Sequence, residues 1–266
     1  MLEYYRLYLP KSKREVKIEV SVPRNRDNVT FDTIYFLDGQ NAFKDSHASF
    51  GRSIRAAKVL GLAAKEMGKR ILGVAIYNSE SDLGRINEYS PFKIINVASN
   101  EWKKQDLKVC KNYCDDFINT IIPFIEKKYK TYNSYSHRAI FGSSLAAITA
   151  IYMSFLYPDS FKYVASFSTP VFLYPKEFYS FLDKNKKEDR KIFLYVGKEE
   201  QSDDIYDKFV YYNSSLELYN YFKKNQIPTR LCIDPKGVHN EETWGNHIQD
   251  FINYMYFDEL EPHTLN

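Results

Sequence analysis

The segment Phe141-Gly142-Ser143-Ser144-Leu145-Ala146-Ala147 has the makings of a nucleophile. It follows a short apolar strand and opens an apolar helix, with the spacing G-x-S-x-G except for Ala in the last place. A chain that turns this sharply from strand to helix brings the residues two before and two after Ser144 almost into contact. Only Gly, Ala or Ser fit there, and Gly142 and Ala146 comply. The turn sets the Ser144 hydroxyl at a helix N-terminus and aims the Leu145 N–H at a developing oxyanion. The chemistry would be acyl transfer. The plainer alternative is a serine that only caps the helix. Ser143 is a rival nucleophile, but it lies off the apex of this spacing.

A serine is a poor nucleophile at neutral pH and needs a base. The histidines are His47, His137, His239, His247 and His263. Triads on hydrolase sheets run serine, acid, histidine along the chain. His239, in Pro235-Lys236-Gly237-Val238-His239-Asn240, sits on a loop from which a base can reach across. His247 reads as structural within the next helix. His137 begins the strand that ends at the serine, at the wrong edge of the sheet, and His263 belongs to a polar tail. The acid is expected after the strand 191–196, where Gly197-Lys198-Glu199-Glu200-Gln201-Ser202-Asp203-Asp204 crowds four carboxylates into one loop. Glu200 is favoured, with Asp203 and Asp204 as rivals. An acid there would hold the imidazole in the tautomer that accepts the serine proton.

The elements that must position these groups are legible in the apolar pattern. Residues 16–22 alternate at period two, a half-buried strand. Residues 33–37 and 71–76 are continuous apolar runs expected as buried strands, and His137–Phe141, Tyr163–Phe167, Lys191–Val196 and Thr229–Ile233 read as further strands. Helical spacing covers 53–67, 101–129 (with a kink at Pro123), 144–156, 175–183, 211–224 and 245–257. Asn25 to Asn28 reads as a turn. Strands alternating with helices imply an α/β protein with a mostly parallel central sheet flanked by helices on both faces. Ligands of such sheets bind beyond the carboxyl ends of the strands, where Ser144, Glu200 and His239 fall.

Composition bounds the rest. The 266 residues are 44% hydrophobic and 27% charged, and they lack a Pro/Gly/Ser-rich linker or an internal repeat, so a single domain over 1–266 is expected. The net charge of +3 and the dispersed basic stretches give no support for nucleic-acid binding. With 23 Tyr and 19 Phe, aromatic rings are available both for the core and for a pocket. No apolar run is long enough for a membrane span, and the start resembles no signal peptide. The expectation is a cytoplasmic protein without membrane association. Three cysteines are no disulfide framework. Cys110 and Cys114 share a helix face and read as buried thiols rather than metal ligands.

Six segments in order resemble the putative-esterase family (esterase D and enterochelin esterase-like) of the α/β-hydrolase superfamily. They are Leu37-Asp38-Gly39-Gln40-Asn41-Ala42-Phe43, Arg85-Ile86-Asn87-Glu88-Tyr89-Ser90-Pro91, Ile122-Pro123-Phe124-Ile125-Glu126-Lys127-Lys128-Tyr129, Gly142-Ser143-Ser144-Leu145-Ala146, Tyr157-Pro158-Asp159-Ser160-Phe161 and Val238-His239-Asn240-Glu241-Glu242-Thr243-Trp244. The resemblance implies an α/β-hydrolase fold, a Ser144–Glu200–His239 triad and an oxyanion hole from the N–H groups of Gln40 and Leu145. It also implies a small-molecule ester substrate, small or linked to a siderophore or carbohydrate, with no metal and no cofactor. The chain departs from the family in Ala146-Ala147 for Gly-Gly, in Leu145 for Met, and in Lys198 for Thr before the acid.

Around the site, Trp244, Arg85 and Asn78 are candidate pocket residues. Trp244 reads equally as a core aromatic. Arg85 reads as an ion-pair partner of Glu88 that holds its own loop. The segment 79–110 is the candidate cap. An acyltransferase, a thioesterase such as an S-formylglutathione hydrolase, and a non-catalytic binding protein on the same fold are the competing readings. The sequence is compatible with a homo-oligomer.

Overall fold

The computed structural model describes residues 1–24, 29–94, 100–186, 189–201 and 207–257. The expected turn at Asn25 to Asn28, the rival acids Asp203 and Asp204, and His263 lie outside the described residues.

Eight strands form one sheet: β1 (Leu2–Leu9), β2 (Arg14–Ser21), β3 (Asp32–Phe36), β4 (Ile71–Ile76), β5 (Arg138–Ser143), β6 (Tyr163–Phe167), β7 (Lys191–Gly197) and β8 (Thr229–Asp234). Their order is β1-β2-β4-β3-β5-β6-β7-β8. From β4 onward neighbours pair in parallel, whereas β1–β2 and β2–β4 are antiparallel. The helices are α1 (Ala56–Glu66), α2 (Gly84–Tyr89), α3 (Leu107–Asp116), α4 (Ile122–Lys128), α5 (Leu145–Leu156), α6 (Pro175–Lys184), α7 (Val210–Lys224), α8 (Glu241–Asn246) and α9 (Ile248–Tyr256).

The central strands are apolar on both faces because both are covered. In β3, Ile34 and Phe36 enter one core with α1, α8 and α9, while Tyr35, with Leu37 just past the strand, enters the other with α2 to α7. β7 divides the same way, Phe193 and Tyr195 to the first and Ile192 and Leu194 to the second. Helix α5 lies under the sheet with almost no exposed side chain, so its apolar residues run all round it.

The structure corrects three elements of the sequence reading. β1 was not expected: it is an edge strand whose outward positions carry Tyr4, Arg6 and Tyr8. The single kinked helix over 101–129 is instead α3, a π-helical turn at Phe117–Ile121, and α4 with Pro123 in its first turn. The wide turn absorbs a proline that has no N–H to donate and whose ring crowds the carbonyl four residues earlier. The helix expected over 245–257 starts at Glu241, where Asn240 caps it by accepting from the Thr243 N–H, and it breaks at His247. Cys110 and Cys114 are buried free thiols in α3.

Candidate active site

Four strand ends supply the site. β5 ends in Ser144, whose φ of 54° and ψ of −129° put it in a backbone state that L-residues seldom hold. Two features stabilise it there. The Ser144 N–H donates to the Phe167 carbonyl at the end of β6. The chain also folds tightly enough that a Cβ on Gly142 would stand 2.2 Å from the Ala146 carbonyl oxygen, so position 142 admits only glycine. Helix α5 begins at the next residue, so Ser144 sits at its N-terminus, and the Ala147 N–H bonds the Ser144 carbonyl.

β8 leads through the turn at Asp234–Gly237 to His239, and β7 leads to Glu200. The two loops are joined where Gly197 meets Gly237: a Cβ on Gly197 would lie 2.2 Å from the Gly237 oxygen, and the Glu199 N–H donates to that same oxygen. His239 Nε2 is 3.0 Å from Ser144 Oγ, and His239 Nδ1 is 2.8 Å from Glu200 Oε2. Of the expected groups, these three are brought into one hydrogen-bonded line. The Glu200 carboxylate is buried and accepts two further bonds on Oε1, from the Ser168 hydroxyl (2.6 Å) and the Gly197 N–H (2.8 Å). The His239 ring lies between Tyr211 and Trp244, with centroids 4.3 and 4.9 Å away.

The turn after β3 approaches Ser144 from the other side, since β3 and β5 are adjacent strands. Asp38 takes a left-handed conformation (φ 50°, ψ 50°), and a Cβ on Gly39 would lie 2.5 Å from the backbone nitrogen of Ile76. Among the described residues neither the Gln40 N–H nor the Leu145 N–H donates to a backbone acceptor. The Gln40 side chain lines a cavity of about 790 Å³ together with Tyr4, Arg6, His47, Tyr77 and Asn78, and its Oε1 is buried without a hydrogen-bond partner.

Asn78 lines that cavity, and both it and Arg85 bond the Asp38 carboxylate. Arg85 forks onto Asp38, Nε to Oδ1 at 2.9 Å and Nη2 to Oδ2 at 2.7 Å, and Asn78 donates to the same carboxylate at 2.5 Å. The expected Arg85–Glu88 pair is not formed: Glu88 instead binds Arg14. Neighbours on a short helix lost to partners 47 and 74 residues away because the chain brings a buried Asp38 to Arg85 and a half-buried Arg14 to Glu88. Trp244 is buried, and its indole N–H donates to Ser168 Oγ at 2.9 Å. Its ring packs edge-on against the His239 ring, with centroids 4.9 Å apart. Within the candidate cap 79–110, α2 is fastened to the body by Tyr89. The Tyr89 hydroxyl accepts the Asp38 N–H, and its carbonyl accepts the Thr149 hydroxyl.

Three supporting residues were given no role by the sequence: Ser168 lies outside the resembling segments, and Asn41 and Glu241 lie within them without any partner to mark them. Ser168 reaches Glu200 across 32 positions. Asn41 donates to Glu241 Oε1 at 2.8 Å and ties the Gln40 turn to the start of α8, just past His239. Burial pushes the Glu241 carboxyl above its usual pKa, and nearby Asp38 adds to the rise.

Among the described residues no helix is long and apolar enough to cross a membrane. The profile of the family described as Putative esterase matches residues 10–254. Solved structures share the fold at low identity. An IroE-like serine hydrolase from Shewanella oneidensis superposes with a TM-score of 0.79 at 14% identity, over 98% of this chain and 82% of that one. The siderophore hydrolase EstA from Aspergillus nidulans gives 0.72 at 14% identity, over 95% and 94%. A ferulic acid esterase from the anaerobic fungus Anaeromyces mucronatus gives 0.67 at 17% identity, over 95% and 89%.

Proposed function

The chain belongs to the putative-esterase family and is a serine esterase, and from that premise we propose that Ser144, His239 and Glu200 hydrolyse a carboxylic ester through an acyl-enzyme. The observation that carries the reading is the unbroken line from Ser144 Oγ through His239 to a buried carboxylate.

His239 Nε2 takes the Ser144 proton as Oγ attacks the ester carbonyl. Glu200 accepts the Nδ1 hydrogen, which fixes the tautomer and stabilises the imidazolium that forms. The oxyanion falls to the unengaged N–H groups of Leu145 and Gln40, where each donor is worth about 10²–10³ in rate. The tetrahedral intermediate collapses, and His239 passes its proton to the departing alcohol. Water then attacks the acyl-enzyme with His239 again as base, which releases the acid and restores Ser144. No step draws on a metal or an organic cofactor. The cavity beside Gln40 would take one arm of the substrate, and its tyrosines suit an aromatic or carbohydrate-linked group. A small or siderophore- or carbohydrate-linked ester fits that space.

Ser144→Ala tests the reading. Hydrolysis of a short p-nitrophenyl ester should drop by about 10⁴-fold or more, and labelling by a fluorophosphonate should vanish. Wild-type turnover together with an unlabelled native serine would remove Ser144 from the reaction.

A further inference from the structure

Away from the catalytic cleft, β8 packs against the junction of α8 and α9, and three side chains of different chemistry converge there. His247 Nδ1 lies 3.6 Å from Cys232 Sγ and 2.8 Å from Asp250 Oδ2. One donor atom from each of the three lies within 4.8 Å of the others. We propose that Cys232, His247 and Asp250 bind a borderline transition-metal cation, Zn²⁺ being the probe of choice, with a fourth position open to water.

The geometry fits a tetrahedral ion. Bonds of about 2.1–2.2 Å place neighbouring donors about 3.4–3.6 Å apart. The sulfur–nitrogen separation already matches. The Asp250 oxygen must back away from its 2.8 Å contact with Nδ1, and its half-exposed side chain has room to rotate.

The ring of His247 is held as a ligand's ring would be. Its Nε2 faces Asp234 Oδ2 at 3.3 Å, and its plane stacks on Tyr195 with centroids 4.6 Å apart. The Asp250 and Asp234 carboxylates hold His247 between them, and although burial opposes the charge their hydrogen bonds raise its pKa to about 10, so an ion at Nδ1 would take the place of the proton that bonds Asp250. A carboxylate behind a histidine is the usual support of a metal-bound imidazole. Thiolate with imidazole selects zinc, cobalt or copper(I) over magnesium or calcium. Binding would release the Cys232 thiol proton to solvent.

The location makes such an ion a brace. Asp234 opens the turn that leads to His239, and α8 carries Trp244 against the His239 ring. The site does not depend on the esterase reading, because none of its ligands touches Ser144.

The test uses the full chain, stripped with a chelator and then titrated with Zn²⁺ against a chromophoric competitor and with Co²⁺ by absorption. One equivalent should bind, the melting temperature should rise, and cobalt should show a thiolate charge-transfer band. Cys232→Ala should abolish that band. Asp250→Asn, at an exposed position, should weaken affinity by about tenfold or more. Asp234→Asn should weaken it by about 10–100-fold. Absence of stoichiometric binding by the wild type would overturn the proposal. So would binding unchanged in Asp250→Asn, or a cobalt–thiolate band that survives Cys232→Ala.

Discussion

Ser168 donates its hydroxyl to Glu200 Oε1 while accepting the indole N–H of Trp244, so the carboxylate behind His239 is anchored to the core and not to solvent. Ser168 itself holds a φ of 54°, and its N–H bonds the Tyr195 carbonyl of β7. The acid is thus fixed by three donors from three stretches of chain: Ser168, Gly197 and His239.

Glu200→Gln should lower kcat by up to about 10⁴-fold, because an amide can donate to Nδ1 and favour the wrong tautomer. Ser168→Ala removes one charge-assisted bond of about 1.5–3 kcal/mol and leaves two in place. It should cost about tenfold in kcat with KM nearly unchanged. Steady-state kinetics on one p-nitrophenyl ester measures both. Wild-type kcat in Glu200→Gln would move the acid to another carboxylate.

In the proposed mechanism Arg85 would act through Asp38, which it binds through both Nε and Nη2 at the turn carrying the Gln40 N–H. Arg85→Ala should lower kcat by about tenfold or more, with little change in KM, as expected when a donor used in the transition state is displaced. The cost in stability should be about 1–2 kcal/mol, the lower part of the range because the guanidinium is partly solvated. Arg85→Lys should rescue little, since a single ammonium cannot reproduce the fork. Full rescue by lysine would argue that charge alone, without bidentate geometry, holds the turn.

Glu241 gives a pH signature. Its folded pKa is raised by burial, so between the unfolded and folded values the native chain holds more protons than the unfolded one. Stability therefore falls as pH rises through that window. Glu241→Gln keeps an acceptor for Asn41 and has no charge to bury. Its melting temperature should match the wild type below the carboxylate range and exceed it at neutral pH. A difference that does not vary with pH would show that the buried charge carries no penalty.

Central elements were legible because burial on both faces leaves continuous apolar runs, and β4 at Ile71–Ile76 is read from sequence to the residue. The elbow was legible because a close approach leaves only small residues around Ser144. The order serine, acid, histidine pointed to loops that the parallel sheet brings to one edge. What escaped notice depended on contacts between distant segments. β1 is half solvated and acquires its partner only by pairing with β2. The spacing of Arg85 and Glu88 suggested a local ion pair, yet each carboxylate–guanidinium match was made across the fold. Ser168 and Asn41 are ordinary polar residues until Glu200 and Glu241 arrive beside them.

The packing around Gly39 and Gly142 separates two kinds of position. At both glycines a single added carbon meets backbone, so no library will yield a working substitution there. Tyr4, His47 and Tyr77, which rim the neighbouring cavity, come from three separate stretches and bear only their own side chains on it. Where that cavity takes a substrate arm as proposed, selection for a new substrate, natural or in the laboratory, has those rim sites to rewrite while the proposed reacting centre stays as it is.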